Sequence, residues 1–206
     1  MDEKFCELLK KGYKLLKPLG YRKEGANYRC FGADGLCRII NFQRNKWNTK
    51  ERCDFVINIG VYFEQNTMIS NRKFKEYDCQ IRQRINNRDY AGTEWWHLDS
   101  KTNIEELLQT LKPVLQHIEK WFSLFPSKET AIQMILDGTA QEYSCLNVMH
   151  FYTAKLLVDM GYSHEVYAMI KDTKDTNPKA TMMIELAEML ASGENRHSGS
   201  GENRQF

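Results

Sequence analysis

The hydrophobic period of this chain changes twice, and few folds accommodate that pattern. Phe5, Leu8, Leu9, Tyr13 and Leu16 recur at helical spacing over 3–17, and Pro18 and Gly20 end the run. From Asn27 the period becomes two. The alternation predicts strands over 27–31, 36–45, 54–63, 75–85 and 94–98, the first two joined by the turn Gly32-Ala33-Asp34-Gly35. The loops expected at 46–52, 64–74 and 86–93 are polar and basic. At Lys101 the helical period returns. Leu107, Leu108, Leu111, Leu115, Ile118 and Phe122 form one stripe behind a capping box of Thr102 and Glu105, with Pro113 expected to bend the helix.

Helix, antiparallel meander, helix is the order of an α+β domain: an antiparallel sheet of about five strands flanked by helices. An all-helical C-terminal extension follows, with helices expected at about 128–137, 144–160, 163–172 and 178–191. The links Gly161-Tyr162 and Thr176-Asn177-Pro178 suit helical hairpins. The division expected is therefore 1–125, 126–191 and a disordered tail, 192–206, in which Ser-Gly-Glu-Asn-Arg occurs twice. Charge follows the same division. Residues 1–122 carry 22 Lys and Arg against 16 Asp and Glu, whereas 123–206 carry 7 against 11.

Several function classes lose support at this level. The net charge of +2 over 206 residues does not by itself mark a nucleic-acid or membrane protein. No apolar run reaches the roughly 18 residues a membrane helix needs, and the charged start Met1-Asp2-Glu3-Lys4 is not a secretory signal pattern. A cytoplasmic protein is expected, in which Cys6, Cys30, Cys37, Cys53, Cys79 and Cys145 are free thiols. Cys30 and Cys37 are expected to face each other across the hairpin. There is no CxxC pair, no ligand spacing among the five histidines, and no phosphate-loop, dinucleotide, zinc-protease or nucleophile-elbow motif. No catalytic residue, metal or cofactor is assigned.

Parity sorts the two sheet faces, because side chains alternate along a strand. One face collects Ile40, Phe42, Phe55, Ile57, Ile59, Val61, Cys79, Ile81 and Ile85 and is expected to meet the helices. The other collects Asn41, Gln43, Asn58, Gly60, Gln80, Arg82 and Arg84. An ordinary solvated face is one reading of this second set. The other is a binding surface, since Asn and Gln form strands poorly and the Arg fork suits carboxylate or phosphate. Trp95 and Trp96 point to opposite sides, so one belongs to the core and the other is a candidate contact residue. Which face the second helix covers is left open by the sequence.

The order of motifs also resembles a known family. Leu15-Leu16-Lys17-Pro18-Leu19-Gly20-Tyr21-Arg22-Lys23, Asn27-Tyr28-Arg29-Cys30, Ile39-Ile40-Asn41-Phe42-Gln43-Arg44 and Phe55-Val56-Ile57-Asn58-Ile59-Gly60-Val61 resemble the bacterial family called domain of unknown function 4304. Cys79-Gln80-Ile81-Arg82-Gln83-Arg84-Ile85 and Trp95-Trp96-His97-Leu98 continue the match, over roughly 5–125. The resemblance implies an α+β domain and supplies no catalytic residue. Its signature positions include Gln43, Asn58, Arg82, Arg84 and Trp95, largely on the polar face. The C-terminal helices resemble a tetratricopeptide-type hairpin.

The function expected is non-catalytic binding of a polypeptide partner through the polar face and the helical hairpins, with immunity-type toxin neutralisation as one form of it. The alternative is a small-anion sensor or enzyme using Gln43, Asn58, Arg82 and Arg84 around a phosphate or carboxylate. Nucleic-acid binding ranks last, because the basic residues of 21–88 are mixed with acids and spread over several loops.

Overall fold

The computed structural model describes residues 1–65, 74–172 and 178–193. Helix α1 runs Asp2–Leu16, with Asp2 and Glu3 in its first turn where acids favour the helix dipole. It buries Phe5, Leu8, Leu9, Gly12 and Leu16. A 3-10 turn, Lys17–Leu19, ends at Gly20, whose φ of 89° is the left-handed conformation that glycine tolerates.

The sheet follows: β1 Arg22–Glu24, β2 Asn27–Phe31, β3 Cys37–Arg44, β4 Arg52–Tyr62, β5 Ile81–Ile85 and β6 Trp96–Asp99, with a short helix α2, Arg88–Ala91, between the last two. Every pairing is antiparallel and the order is β1-β2-β3-β4-β5. The eleven-residue β4 is the spine. Its other edge is shared, β5 pairing from Ile57↔Ile85 to Val61↔Ile81 and β6 from Arg52↔Asp99 to Phe55↔Trp96. The strand expected at 75–85 is shorter, because Glu76–Asp78 forms a 3-10 turn closed by Asp78 Oδ2 accepting from the Lys75 amide at 2.7 Å. Most of the expected 64–74 loop lies outside the described residues.

Helix α3, Ile104–Phe122, continues through Pro113. Its cap is Asn103, whose side chain accepts from the amides of Glu105 and Glu106, and not Thr102, whose hydroxyl is held by Asp99. Both long helices pack on the apolar face. Phe5 meets Phe55 edge-on at 5.8 Å, the Tyr28 hydroxyl donates to the Leu9 carbonyl at 2.8 Å, and Arg38 lies over the Phe122 ring at 5.8 Å. Tyr21 donates to Glu119 Oε1 at 2.7 Å, tying the chain after α1 to α3. Ile40, Phe42, Ile57 and Ile59 are buried on this face, each contributing about 1.5–3 kcal/mol of apolar burial. The question of which face α3 covers is thus settled: the amide and arginine face is left clear of both helices.

A second, smaller core lies at one end of that other face. Cys37, Ile39, Tyr62, Phe74 and Cys79 are buried together with Phe31 against them, and the Tyr62 and Phe74 rings stack at 3.9 Å. Cys79 therefore sits on the opposite side from that expected, because it precedes β5 and its chain has already turned out of the 3-10 segment over Gly60. Gln80 is also withdrawn from the face. Its side chain accepts from the Phe63 amide at 3.1 Å and donates to the Phe63 carbonyl at 3.2 Å, closing the end of β4.

Two compact units make up the chain, Met1–Val148 and the residues from Met149 on. The first includes α4, Lys128–Leu136, and a 3-10 turn, Thr139–Tyr143. The division expected at 125/126 falls inside this unit for a physical reason. The Lys128 amide donates to Asp34 Oδ2 at 2.5 Å, Trp121 Nε1 to the Tyr143 carbonyl at 3.1 Å, and the Cys145 amide to the Arg82 carbonyl at 2.7 Å. The second unit holds α5 Phe151–Asp159, α6 Ser163–Ile170 and α7 Pro178–Ser192, which bury Ala154, Leu157, Val166, Ile170, Met183, Leu186 and Ala187. Helix α5 starts later than expected, at the cap His150, whose ring accepts from the Thr153 amide. The link at 173–177 and the tail beyond Gly193 lie outside the described residues. No helix among the described residues is long and apolar enough to cross a membrane.

Candidate functional site

The strand register brings Asn27, Asn41, Asn58 and Arg84 into one row across β2, β3, β4 and β5, on the face the helices leave clear. Asn41 Nδ2 donates to Asn27 Oδ1 at 2.8 Å, and Asn58 Nδ2 donates to Gln43 Oε1 at 2.7 Å. Arg84 completes the row, its Nε donating to Asn58 Oδ1 at 3.0 Å and its Nη2 to Gln43 Oε1 at 3.2 Å. Asn58 and Asn27 are buried, Asn41 is half-buried, and Gln43 and Arg84 are exposed. The buried Asn58 and the exposed Gln43 thus brace an exposed guanidinium, and their two neutral oxygens hold it where a carboxylate would otherwise neutralise it. No ion pair to Arg84 is found among the described residues.

Arg82 lies on the same face one row along, opposite Gly60. Its backbone is anchored by the Cys145 amide on its carbonyl and by Ser144 Oγ, which accepts from its amide at 3.3 Å. Its half-buried side chain has no hydrogen bond or ion pair among the described residues. Burial pushes the Cys79 thiol well above its ordinary pKa, and the charge of Arg82 opposes that only in part.

Two further members of this face, Asn27 and Arg29, escape the sequence reading, although their parity in β2 places them there. Arg29 is buried, with Nη1 2.6 Å from Glu24 Oε2, Nη2 donating to the Phe74 carbonyl, and its guanidinium 5.0 Å from the Phe74 ring centre. It holds the 74–79 segment down. The two tryptophans separate as parity requires. Trp96, expected as a contact residue, is instead buried on the helix side of the core, stacked on Phe55 at 5.7 Å. Trp95 is half-buried just ahead of β6, its carbonyl accepting from Thr93 Oγ1 at 3.0 Å. Cys30 and Cys37 do not face each other. Cys30 opposes Arg38 and Cys37 opposes Phe31, so the two thiols lie on opposite faces.

At the far end of the face, Asp54 and His97 are paired in register. Asp54 Oδ1 accepts from Arg52 Nε at 2.7 Å and lies 2.6 Å from His97 Nδ1, which is also 2.9 Å from Arg52 Nη2, so the three side chains form one cluster. Partial burial pushes the Asp54 carboxyl up, but Arg52 and His97 together outweigh it and hold the group below the usual carboxylate range. A depressed pKa adds stability that is present above the unfolded carboxyl value and is lost as pH falls through the folded one. Asp54→Asn is therefore expected to flatten the decline in stability below about pH 4, measured by denaturant unfolding across that range. A decline as steep as the parent's contradicts this pairing. Among the described residues no group of three His, Cys, Asp or Glu is placed to hold a metal ion.

The match to known proteins decides the family. A family model, domain of unknown function (DUF4304), matches residues 13–124, more than half of the chain. The chain belongs to the DUF4304 family. No curated protein and no solved structure matches it. The DUF4304 region contains all six strands and α3, and with them every residue of the amide and arginine row. Helices α4 to α7 lie beyond it.

Proposed function

We propose that the DUF4304 unit is a non-catalytic binding module that holds an acidic stretch of a partner polypeptide across the second sheet face. The observation that carries this reading is Arg84, exposed, braced by Asn58 and Gln43, and without a carboxylate counter-charge among the described residues. A guanidinium whose orientation is already set loses little entropy on binding, and its free edge suits a carboxylate. Arg82, on the same side of β5, adds a second positive charge within one strand repeat. Gln43 and Arg84 lie open to solvent, and such a surface suits a chain laid along it better than a small ion, which is held in a concave site. Neutralising a toxin by covering an acidic surface on it is one role that such a module can serve.

The test is capture from native cell extract by the parent and by Arg82→Glu/Arg84→Glu, with circular dichroism establishing that the variant is folded. The expected result is a stoichiometric protein captured by the parent and absent from the variant. Capture of the same protein by both chains overturns the assignment of this face.

A further inference from the structure

A different feature of the first unit carries a second binding site. Beside the start of α1, the loop joining β3 and β4 walls an open depression of about 900 Å³. Arg44, Lys46 and Lys50 line it against a single carboxylate, Asp2, which is itself paired with Arg44 at the surface. Apart from Met1, every lining side chain is polar or charged. Trp47 stands between the lining residues Lys46 and Asn48, 77% exposed, with the Lys46 ammonium 4.9 Å from its ring centre.

The loop that presents this tryptophan is internally braced. Asn45 Oδ1 accepts from the Trp47 amide at 3.0 Å, and the Thr49 amide donates to the Arg52 carbonyl at 2.9 Å. Asn48 Oδ1 accepts from the Asp54 amide at 2.8 Å while its Nδ2 donates to the Asp54 carbonyl at 3.0 Å. The side chains of Asn45 and Asn48 are thus used to hold the backbone, and the indole is held out in water with Lys46 over its ring.

We infer that this loop is a binding surface for single-stranded nucleic acid, with Trp47 as the stacking platform and Arg44, Lys46 and Lys50 as the phosphate contacts. An aromatic anchor at a protein interface sits in an apolar, charge-depleted centre. Trp47 instead stands beside a depression where Arg44, Lys46 and Lys50 outnumber the carboxylate of Asp2, an arrangement that lets a base stack while its phosphates are neutralised. Exposed ion pairs contribute little, so Arg44 exchanges Asp2 for a phosphate readily. In the sequence these charges are diluted among acids along 21–88; the fold gathers three of them around one depression.

The experiment is fluorescence anisotropy of a labelled fifteen-residue oligothymidylate titrated with the full chain in low salt. The parent is expected to bind saturably, and Trp47→Ala to weaken binding by about 5- to 150-fold, the range for one lost base stack. Lys46→Gln/Lys50→Gln is expected to lower the slope of log affinity against log salt by about 1.4, two phosphate contacts' worth. Both changes lie on an exposed loop, and circular dichroism checks that each variant is folded. Absence of saturable binding, or equal binding by Trp47→Ala, overturns the inference. So does tighter binding of thymidine monophosphate than of the strand, which assigns a small-molecule site. Binding of a labelled decaglutamate in place of the strand overturns it as well, assigning an acidic polypeptide.

Discussion

Gly60→Ala is expected to destabilise the first unit by about 2–3 kcal/mol, the upper part of the range for an overpacked interior. For a chain of this size that corresponds to roughly 5–10 °C in melting temperature. The cause is space. A Cβ at position 60 would lie 2.6 Å from Cys79 Sγ, 2.7 Å from Cys79 Cβ and 3.3 Å from the Ile81 carbonyl oxygen. Cys79 cannot back away, because the next residue is fastened to β4 by its amide to the Val61 carbonyl and by its side chain to Phe63. Thermal unfolding followed by circular dichroism checks the prediction. Adding Cys79→Gly should recover part of the loss by removing both near atoms, whereas Cys79→Ala, which keeps the Cβ, should recover less. An unchanged melting temperature for Gly60→Ala contradicts the packing of 74–79 on this face.

Asn58 is the second position where a large effect is expected. Its side chain is buried, 4% exposed, and joins Gln43 to Arg84. Asn58→Leu keeps the branching of the side chain but removes both the donor to Gln43 and the acceptor for Arg84 Nε. Gln43 and Arg84 are exposed and regain water, so stability should fall by the net worth of the two lost hydrogen bonds, about 1–3 kcal/mol together. Arg84 should lose its fixed orientation at the same time. Asn58→Asp separates the two consequences. A carboxylate still accepts from Arg84 and pairs with its charge, so at neutral pH the fold should be closer to the parent's stability than Asn58→Leu is. Partner capture should nevertheless fall, because the guanidinium is then neutralised from within. Chemical denaturation and capture, read side by side, check both. Undiminished capture by Asn58→Asp would show that the free charge of Arg84 is not what the partner uses.

Much of this arrangement can be read from the sequence, and the parts that cannot have identifiable causes. The change of period marks helix, sheet and helix because burial enforces 3.6 and 2 as the only workable repeats. Parity finds Asn41, Gln43, Asn58, Arg82 and Arg84 because a long central strand cannot change face without a bulge. β1 leaves no such trace. Arg22, Lys23 and Glu24 form a short charged edge strand, which carries no alternation and is itself a protection against pairing with other chains. The extent of β5 is overread because Cys79 and Ile81 share parity, although the chain turns between them. That turn depends on a close approach to Gly60, a contact distant in sequence and invisible to any local pattern. Asn27 and Arg29 are missed for a related reason. β2 is only five residues long and is flanked by apolar residues on both faces, so its polar parity does not stand out until the register aligns it with Asn41 and Asn58.

The most direct measurement is arginine footprinting with a dicarbonyl reagent, read by mass spectrometry on the free chain and on the chain with its captured partner bound. Arg82 and Arg84 are expected to react in the free chain and to be shielded in the complex. Arg88, exposed and outside the row, should react equally in both. Equal labelling of Arg82 and Arg84 in the free and bound states would contradict the proposal that this face holds the partner.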